Sequence, residues 1–394
     1  MTTAPEELTG EGIVMAYEAG AELVDMEFPM FLPCCVYWPE SMSGVDMPYV
    51  FSVTVGGWWL NKFGVRFIEK WDPSRMEQGT TRDIASIAMA MEMSKGRSSP
   101  HGGVWASFNH LPGGLLEEAI QSHEFWKNFT YGGFDLIEFD MDPRKVGHEV
   151  GPASHYWNGG IKVNGRSETN IPGLYAAGEV QGGTMGANRL GGNAVTECLV
   201  FGALSGASAA NYANNAPPPE VDKEQVNTFY ERLHAPLVRK DGADAYEMRK
   251  KMQKVAFNNI GPIRDGSGIT TCIGEAEKMK KEMLPNLATK HKSKVYNREW
   301  MIAMENEALL QIMEIIARTS LMREESRGAL YRRDCPDTDN KNWLKNIIVK
   351  NKDSKVSLDT KPIVASSLLT LPKAEKIPYM VPEWKFEKRS SENV

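Results

Sequence analysis

The sequence predicts a protein of several domains, mixed α/β in its first half and a helical bundle in most of its second. Three observations lead there. The chain has 394 residues, more than twice what one hydrophobic core usually organises. Up to residue 213, short β-prone runs alternate with Gly and Pro punctuation. Beyond the polar, Pro-rich segment 214–219 (NNAPPP), which cannot continue a helix, apolar residues recur with the 3.6-residue period instead. In order, residues 49–55, 104–108, 134–139 and 173–177 are predicted strands. Residues 221–239, 243–258, 273–283 and 298–325 are predicted helices. In the last of these Met301, Met304, Leu309, Ile312, Met313 and Ile316 share a face, with Glu305, Gln311 and Arg318 elsewhere. The many methionines on these helices are taken as core filler. From Pro336 onward the periodicity fades into an irregular polar tail with a β-prone piece at 346–349. No internal repeat is visible.

Composition narrows the functional classes. Apolar residues make up 42% and charged residues 24%, an ordinary globular balance that can bury a core. The net charge of −6, without a basic stripe, disfavours a polyanion partner such as nucleic acid. No stretch of about 18 uninterrupted apolar residues exists, and the start MTTAPEELTGEG has neither a basic nor an apolar leader region. A cytoplasmic location is expected. Cys34, Cys35, Cys198, Cys272 and Cys335 show no metal-ligand spacing and read as reduced thiols, so neither a disulfide framework nor a metal site is expected.

The most informative segment is GLYAAGEVQGGTMGANRLGGNAVTECLVFGALSGASAA, residues 173–210. It reads as a strand, a loop holding Gly182, Gly183, Gly186, Gly191 and Gly192, and a helix starting near Asn193. Such glycines let a backbone approach a flat or phosphorylated ligand, and a helix start aims unpaired N–H groups at negative charge. By spacing alone this is a generic nucleotide-site signal.

The string itself is more specific. GLYAAGE, GANRLGGNA and the VFG helix together resemble the flavin-binding signature of the succinate dehydrogenase and fumarate reductase flavoprotein family. Four stretches agree in order: TGEGIVMAYEAGAELVDMEF (9–28), TTRDIASIAM (80–89), GPASHYWNGGIKVN (151–164) and ESRGALYRRDCPDTDNKNWL (325–344). The resemblance implies a partial, Rossmann-like FAD-binding domain from residues 1–40 and 166–213. A mixed α/β capping domain is inserted at 41–165, with a helical domain at 220–335 and an irregular tail at 336–394. It implies FAD as cofactor, hydride transfer at a CH–CH unit, a small-molecule substrate and an iron-sulfur electron-transfer partner. Family members open with a dinucleotide-binding βαβ unit, yet no GxGxxG occurs in these residues. The expectation is therefore that an upstream polypeptide supplies that unit, that the chain is truncated, or that it keeps the fold as a non-catalytic subunit unable to hold FAD alone.

Site residues follow position by position. The resemblance assigns Glu11, Glu179, Asn193, Ala194 and Val195 to the flavin. A helix start at the flavin N1–C2=O edge would stabilise the reduced ring. Arg82 matches the proton-donating arginine, and His155 and Arg189 match the pair gripping a substrate carboxylate. Departures matter equally. FLPCC places Leu32 where the family has a substrate histidine, and YVFSVTVGG places Tyr49 and Val50 where a threonine and a glutamate hold the second carboxylate. With Trp58 and Trp59 nearby, an unpaired second charge would be costly there. The substrate is therefore not expected to be a C4 dicarboxylate. The same loss disfavours amine oxidation in the manner of aspartate oxidase. The histidines His101, His110, His123, His148, His234 and His291 lack ligand spacing and read as structural or surface groups.

Overall fold

The structure, a computed structural model, describes residues 1–122, 142–363 and 371–380; the predicted strand at 134–139 and His123 lie outside them. The described residues fall in two compact units. The first takes 1–5, 30–122, 142–156 and 377–380, and the second takes 6–29 and the described residues of 157–376.

In the first unit β2 (Pro29–Trp38), β3 (Trp58–Leu60), β4 (Val104–Ser107) and β5 (His148–Trp157) form a sheet in the order β2-β5-β4-β3. Trp59 pairs with Ala106 and Val104 with Val150, both antiparallel. Helix α4 (Arg82–Ser94) buries Ala85, Ile87, Ala88, Met89 and Met91, and the Ser86 hydroxyl donates to the Phe31 carbonyl at 3.0 Å. The predicted strand at 49–55 is instead helical. It forms α2 (Met47–Phe51) and a π-helical turn, Ser52–Gly56. Val50, Val53 and Val55 suggested a strand, but Pro48 in the first turn presets helical φ, and the strand starts only after Gly57. Two further α-helices among its described residues are α3 (Met76–Gly79) and α5 (Gly113–Ser122).

The second unit holds a five-stranded sheet in the order β10-β9-β1-β6-β7, built from β1 (Leu23–Val24), β6 (Gly160–Lys162), β7 (Gln181–Gly182), β9 (Lys345–Lys352) and β10 (Lys355–Pro362). Another short strand, β8 (Asp337–Asp339), precedes the hairpin. In this sheet the β6–β7 pair is parallel, whereas β1 runs antiparallel to both β6 and β9. Residues 345–362, expected within an irregular tail, are a long hairpin whose two-residue turn places Asp353 and Ser354 at φ 51° and 59°. Ile347, Ile348 and Val349 are its buried part. The predicted strand at 173–177 shrinks to one bridge, Glu168 to Tyr175, because Pro172 and the positive φ of Gly173 and Gly178 break the extended run on both sides.

Helix α1 (Glu11–Glu18) and α6 (Asn193–Ala213) belong to this unit, as do α7 (Lys223–Val238), α8 (Ala245–Ile260), α9 (Gly266–Glu282) and α10 (Arg298–Met322). Asp222, Asp244, Asp265 and Asn297 cap the last four by accepting hydrogen bonds from first-turn amides, the usual role of such residues. The Asp265 cap explains why α9 starts seven residues before the apolar pattern does. Helix α10 is buried almost all round rather than on one face. Its Glu305 is paired with Arg249, and its Glu314 with Lys280 and Arg318. Met248, Met252, Met279 and Met313 are core, whereas Met15, Met301 and Met304 line an open groove of about 710 Å³ with Phe229 and Leu233. Among the described residues no helix is long and apolar enough to cross a membrane.

Candidate active site

In the second unit the glycine-rich segment forms a cradle. Gly178 turns the chain with φ 76°, and a Cβ there would stand 3.1 Å from Cys198 Sγ, so the turn Gly178–Val180 packs directly on α6. Glu179 accepts a hydrogen bond from the Trp157 amide at 3.0 Å. Although one side of Glu179 is open to solvent, desolvation by the surrounding protein raises its pKa, with the Trp157 amide and the Arg189 guanidinium pulling the other way. Helix α6 starts after Gly192, in the left-handed region at φ 82°, and no side chain among the described residues caps it. The Asn193 amide donates to the Leu190 carbonyl at 3.4 Å, and no side chain takes up the amides of Ala194 and Val195, which follow it in the first turn of this 21-residue helix. Open space surrounds Gly186 and Gly192. The Thr184 hydroxyl bonds the Glu197 carboxylate, which ties the glycine loop to the helix.

Glu11 opens α1, where the Thr9 hydroxyl donates to it. A Cβ on the next residue, Gly12, would lie 3.3 Å from Val180 Cγ2, so the first turn of α1 abuts the turn carrying Glu179. Arg189 is buried at 6% exposure, and its amide donates to Asn158 Oδ1 at 3.0 Å. The second unit thus collects Glu11, Glu179, Arg189 and the α6 start. Of these, Arg189 and the α6 start suit a flat ring that gains negative charge on reduction.

The first unit carries the other residues. Arg82 begins α4, with its guanidinium 5.7 Å from the Tyr49 ring centroid. Its Nη1 is buried and has no hydrogen-bond partner among the described residues. Its neighbour Asp83 accepts from the Tyr379 hydroxyl. The Asp46 carboxyl is raised by burial, the Arg82 guanidinium partly offsetting this. Leu32 joins Cys35 and Ala153 in an apolar cluster against which Tyr49 packs. His155, two residues along β5 from Ala153, has Nδ1 2.7 Å from the Thr3 hydroxyl.

Trp59 is fully buried core and so cannot line a substrate pocket. Trp58 stacks on His110 at 3.8 Å. His101 stacks on Trp38 and bonds Glu149, a structural arrangement. Cys34, Cys35 and Cys272 are buried, Cys335 is partly buried, Cys198 is exposed, and all are free thiols.

Sequence inspection missed Asp46, Asn158 and Gly328. Asp46 precedes a stretch expected to be a strand, which hid that Tyr49 lies one helical turn after it. Asn158 was visible only as the Asn of an Asn-Gly-Gly turn signal.

Two family models match the chain, the FAD binding domain over residues 1–195 and the fumarate reductase flavoprotein C-terminal domain over residues 249–383. An uncharacterized FAD-dependent oxidoreductase of Methanocaldococcus jannaschii is 33% identical over 354 residues, 89% of this chain and 61% of that protein. A fumarate reductase flavoprotein of Mycobacterium tuberculosis is 31% identical over 369 residues, 88% of this chain and 60% of that one. The chain thus spans less than two thirds of the length of these curated relatives. Among solved structures, an E. coli quinol fumarate reductase carrying a point mutation superposes with a TM-score of 0.80 at 28% identity, over 95% of this chain and 64% of that one.

Proposed function

The chain belongs to the succinate dehydrogenase and fumarate reductase flavoprotein family, and from that premise we propose that it works in an FAD-dependent oxidoreductase acting on a C=C or CH–CH unit beside one carboxylate or acyl group. The cofactor is FAD; when bound, it supplies the hydride at its N5. Glu179, Glu11 and the amides of Asn193, Ala194 and Val195 would hold the ring end. An apolar Leu32–Tyr49 cluster where a second carboxylate would need polar partners argues against a C4 dicarboxylate.

The observation that carries this reading is Arg82. A buried guanidinium nitrogen without a partner among the described residues is costly unless a ligand supplies the acceptor, and Arg82 begins the helix that the motif assigns to proton donation. By the motif each one matches, Arg82 is assigned to proton donation, and His155 and Arg189 are each assigned to a substrate carboxylate. An arginine can serve as an acid only in a dry site with a carboxylate nearby, and Asp46 is that carboxylate. The names of relatives as flavoprotein subunits support an electron-transfer partner, by resemblance an iron-sulfur protein.

The test is a competition assay on the FAD-loaded, chemically reduced protein, following flavin reoxidation by fumarate and by aryl or alkyl monoacid enoates. The monoacid should be preferred by at least about tenfold, because an unpaired buried charge costs more than an unfilled apolar pocket. Faster reoxidation by fumarate would return the chain to dicarboxylate chemistry.

A further inference from the structure

We propose that Asn158 is the positioning residue for Arg189, setting where the substrate-gripping guanidinium stands; this rests on the role given to Arg189 above. Asn158 is 1% exposed and lies between β5 and β6. Its two amide ends face two segments. Oδ1 accepts from the Arg189 amide at 3.0 Å, and Nδ2 donates to the Phe28 carbonyl at 2.8 Å, with the Ala187 carbonyl at 3.5 Å. Asn158 N–H also donates to the Phe28 carbonyl, at 3.3 Å.

The frame around it cannot yield. At Gly159 a Cβ would stand 2.2 Å from the Asp25 carbonyl oxygen, so the β5–β6 connection is pinned against that segment. On the far side, the Ala187 carbonyl accepts from the Ala329 amide at 2.9 Å. Gly328, at φ 52°, leaves no space for a side chain, since its Cβ would sit 2.3 Å from the Ala187 oxygen. The 187–189 backbone is thus held between Asn158 and the Gly328–Ala329 turn. Only a carboxamide offers one acceptor and one donor at that site. Asp lacks the donor and turns an anionic oxygen toward carbonyl oxygens, and an aliphatic side chain leaves the Arg189 amide without its acceptor.

The consequence is specific to the carboxylate. A displaced Arg189 weakens its grip on an anionic substrate end while leaving the flavin contacts of Glu179 and α6 in place. In the FAD-loaded protein, Asn158→Asp and, independently, Gly328→Ala should raise KM for a monoacid enoate about tenfold. They should weaken binding of the saturated monoacid, measured by calorimetry, by a similar factor. The matching enone, which lacks the carboxylate, should lose little, and the flavin spectrum should stay unchanged. Arg189→Ala serves as the reference, with the same selective loss, larger in size. Equal losses on enoate and enone, unfolding of both variants, or no loss at all would make Asn158 merely structural and overturn the inference. If Arg189→Ala itself shows no carboxylate-selective loss, the reading of Arg189 fails and this inference falls with it.

Discussion

The residues on which turnover should depend most are Arg82 and Arg189, and their surroundings separate their effects. Arg82 has a buried Nη1 with no partner among the described residues and an aromatic face beside it, so lysine cannot reproduce its planar fork. Arg82→Lys in the FAD-loaded protein should lower kcat by about 10² to 10⁴, the usual worth of a general acid, while the flavin stays bound. Near-normal turnover would remove Arg82 from the acid role. Arg189→Ala should raise KM as well as lower kcat if Arg189 is the proposed carboxylate anchor, which forms already in the bound substrate. Steady-state kinetics on both variants separates the two. These positions were legible in the sequence because each lies in a string whose order is specific. Asp46 and Asn158 were not, because a neighbour chosen by packing leaves no local spacing signal.

At the scale of elements, the sequence was most legible where the apolar period runs long. Helices α7, α8 and α10 start within two residues of their predicted positions, since capping Asp and Asn residues mark their starts. Strands were less legible. β-branched residues at 50–55 are helical because Pro48 and tertiary packing outweigh a weak β preference, and the β9–β10 hairpin was hidden because its turn uses Asp353–Ser354 without glycine. One element contact yields a pH prediction. Asp334 binds Arg332 through both oxygens, at 2.8 and 2.7 Å, and also accepts from the Gly266 amide at the start of α9. The hydrogen bond from Arg332, despite some desolvation, holds the Asp334 carboxyl down to about 2 against an ordinary 3.8. A depressed pKa stabilises the fold above the unfolded value, and that contribution disappears as pH falls from 3.8 to about 2. Asp334 is 40% exposed, so the effect is modest. Asp334→Asn should cost about 1 kcal/mol near neutral pH, and the gap from the parent should close across that acid window in urea unfolding. A gap that persists at pH 2 would assign the loss to packing instead.

For the whole molecule, the unusual feature is how little of α6 is covered. Of its 21 residues only Glu197 is buried, and Val195, Leu199 and Val200 are 69%, 69% and 54% exposed. Helix α6 and the helices beyond the linker fall in one compact unit. Sequence could not show this, because α6 is rich in small residues that look the same on every face. An apolar helix face of this kind, next to an uncapped start suited to a flavin, is a surface that needs cover. The described cradle would hold the ring end of FAD under the proposed reading, whereas no GxGxxG string for its pyrophosphate occurs in the sequence. Each lost charge-assisted hydrogen bond to that group is worth about 1.5–3 kcal/mol. We therefore predict that these 394 residues alone bind FAD at least about 100-fold more weakly than when joined to, or co-expressed with, a pyrophosphate-binding βαβ segment. Flavin fluorescence quenching gives both affinities, and hydrogen exchange should show α6 protected only in the second case. Stoichiometric yellow cofactor carried through gel filtration by these residues alone would refute the prediction, and would mean that the α6 start, Glu179 and Glu11 suffice to hold FAD.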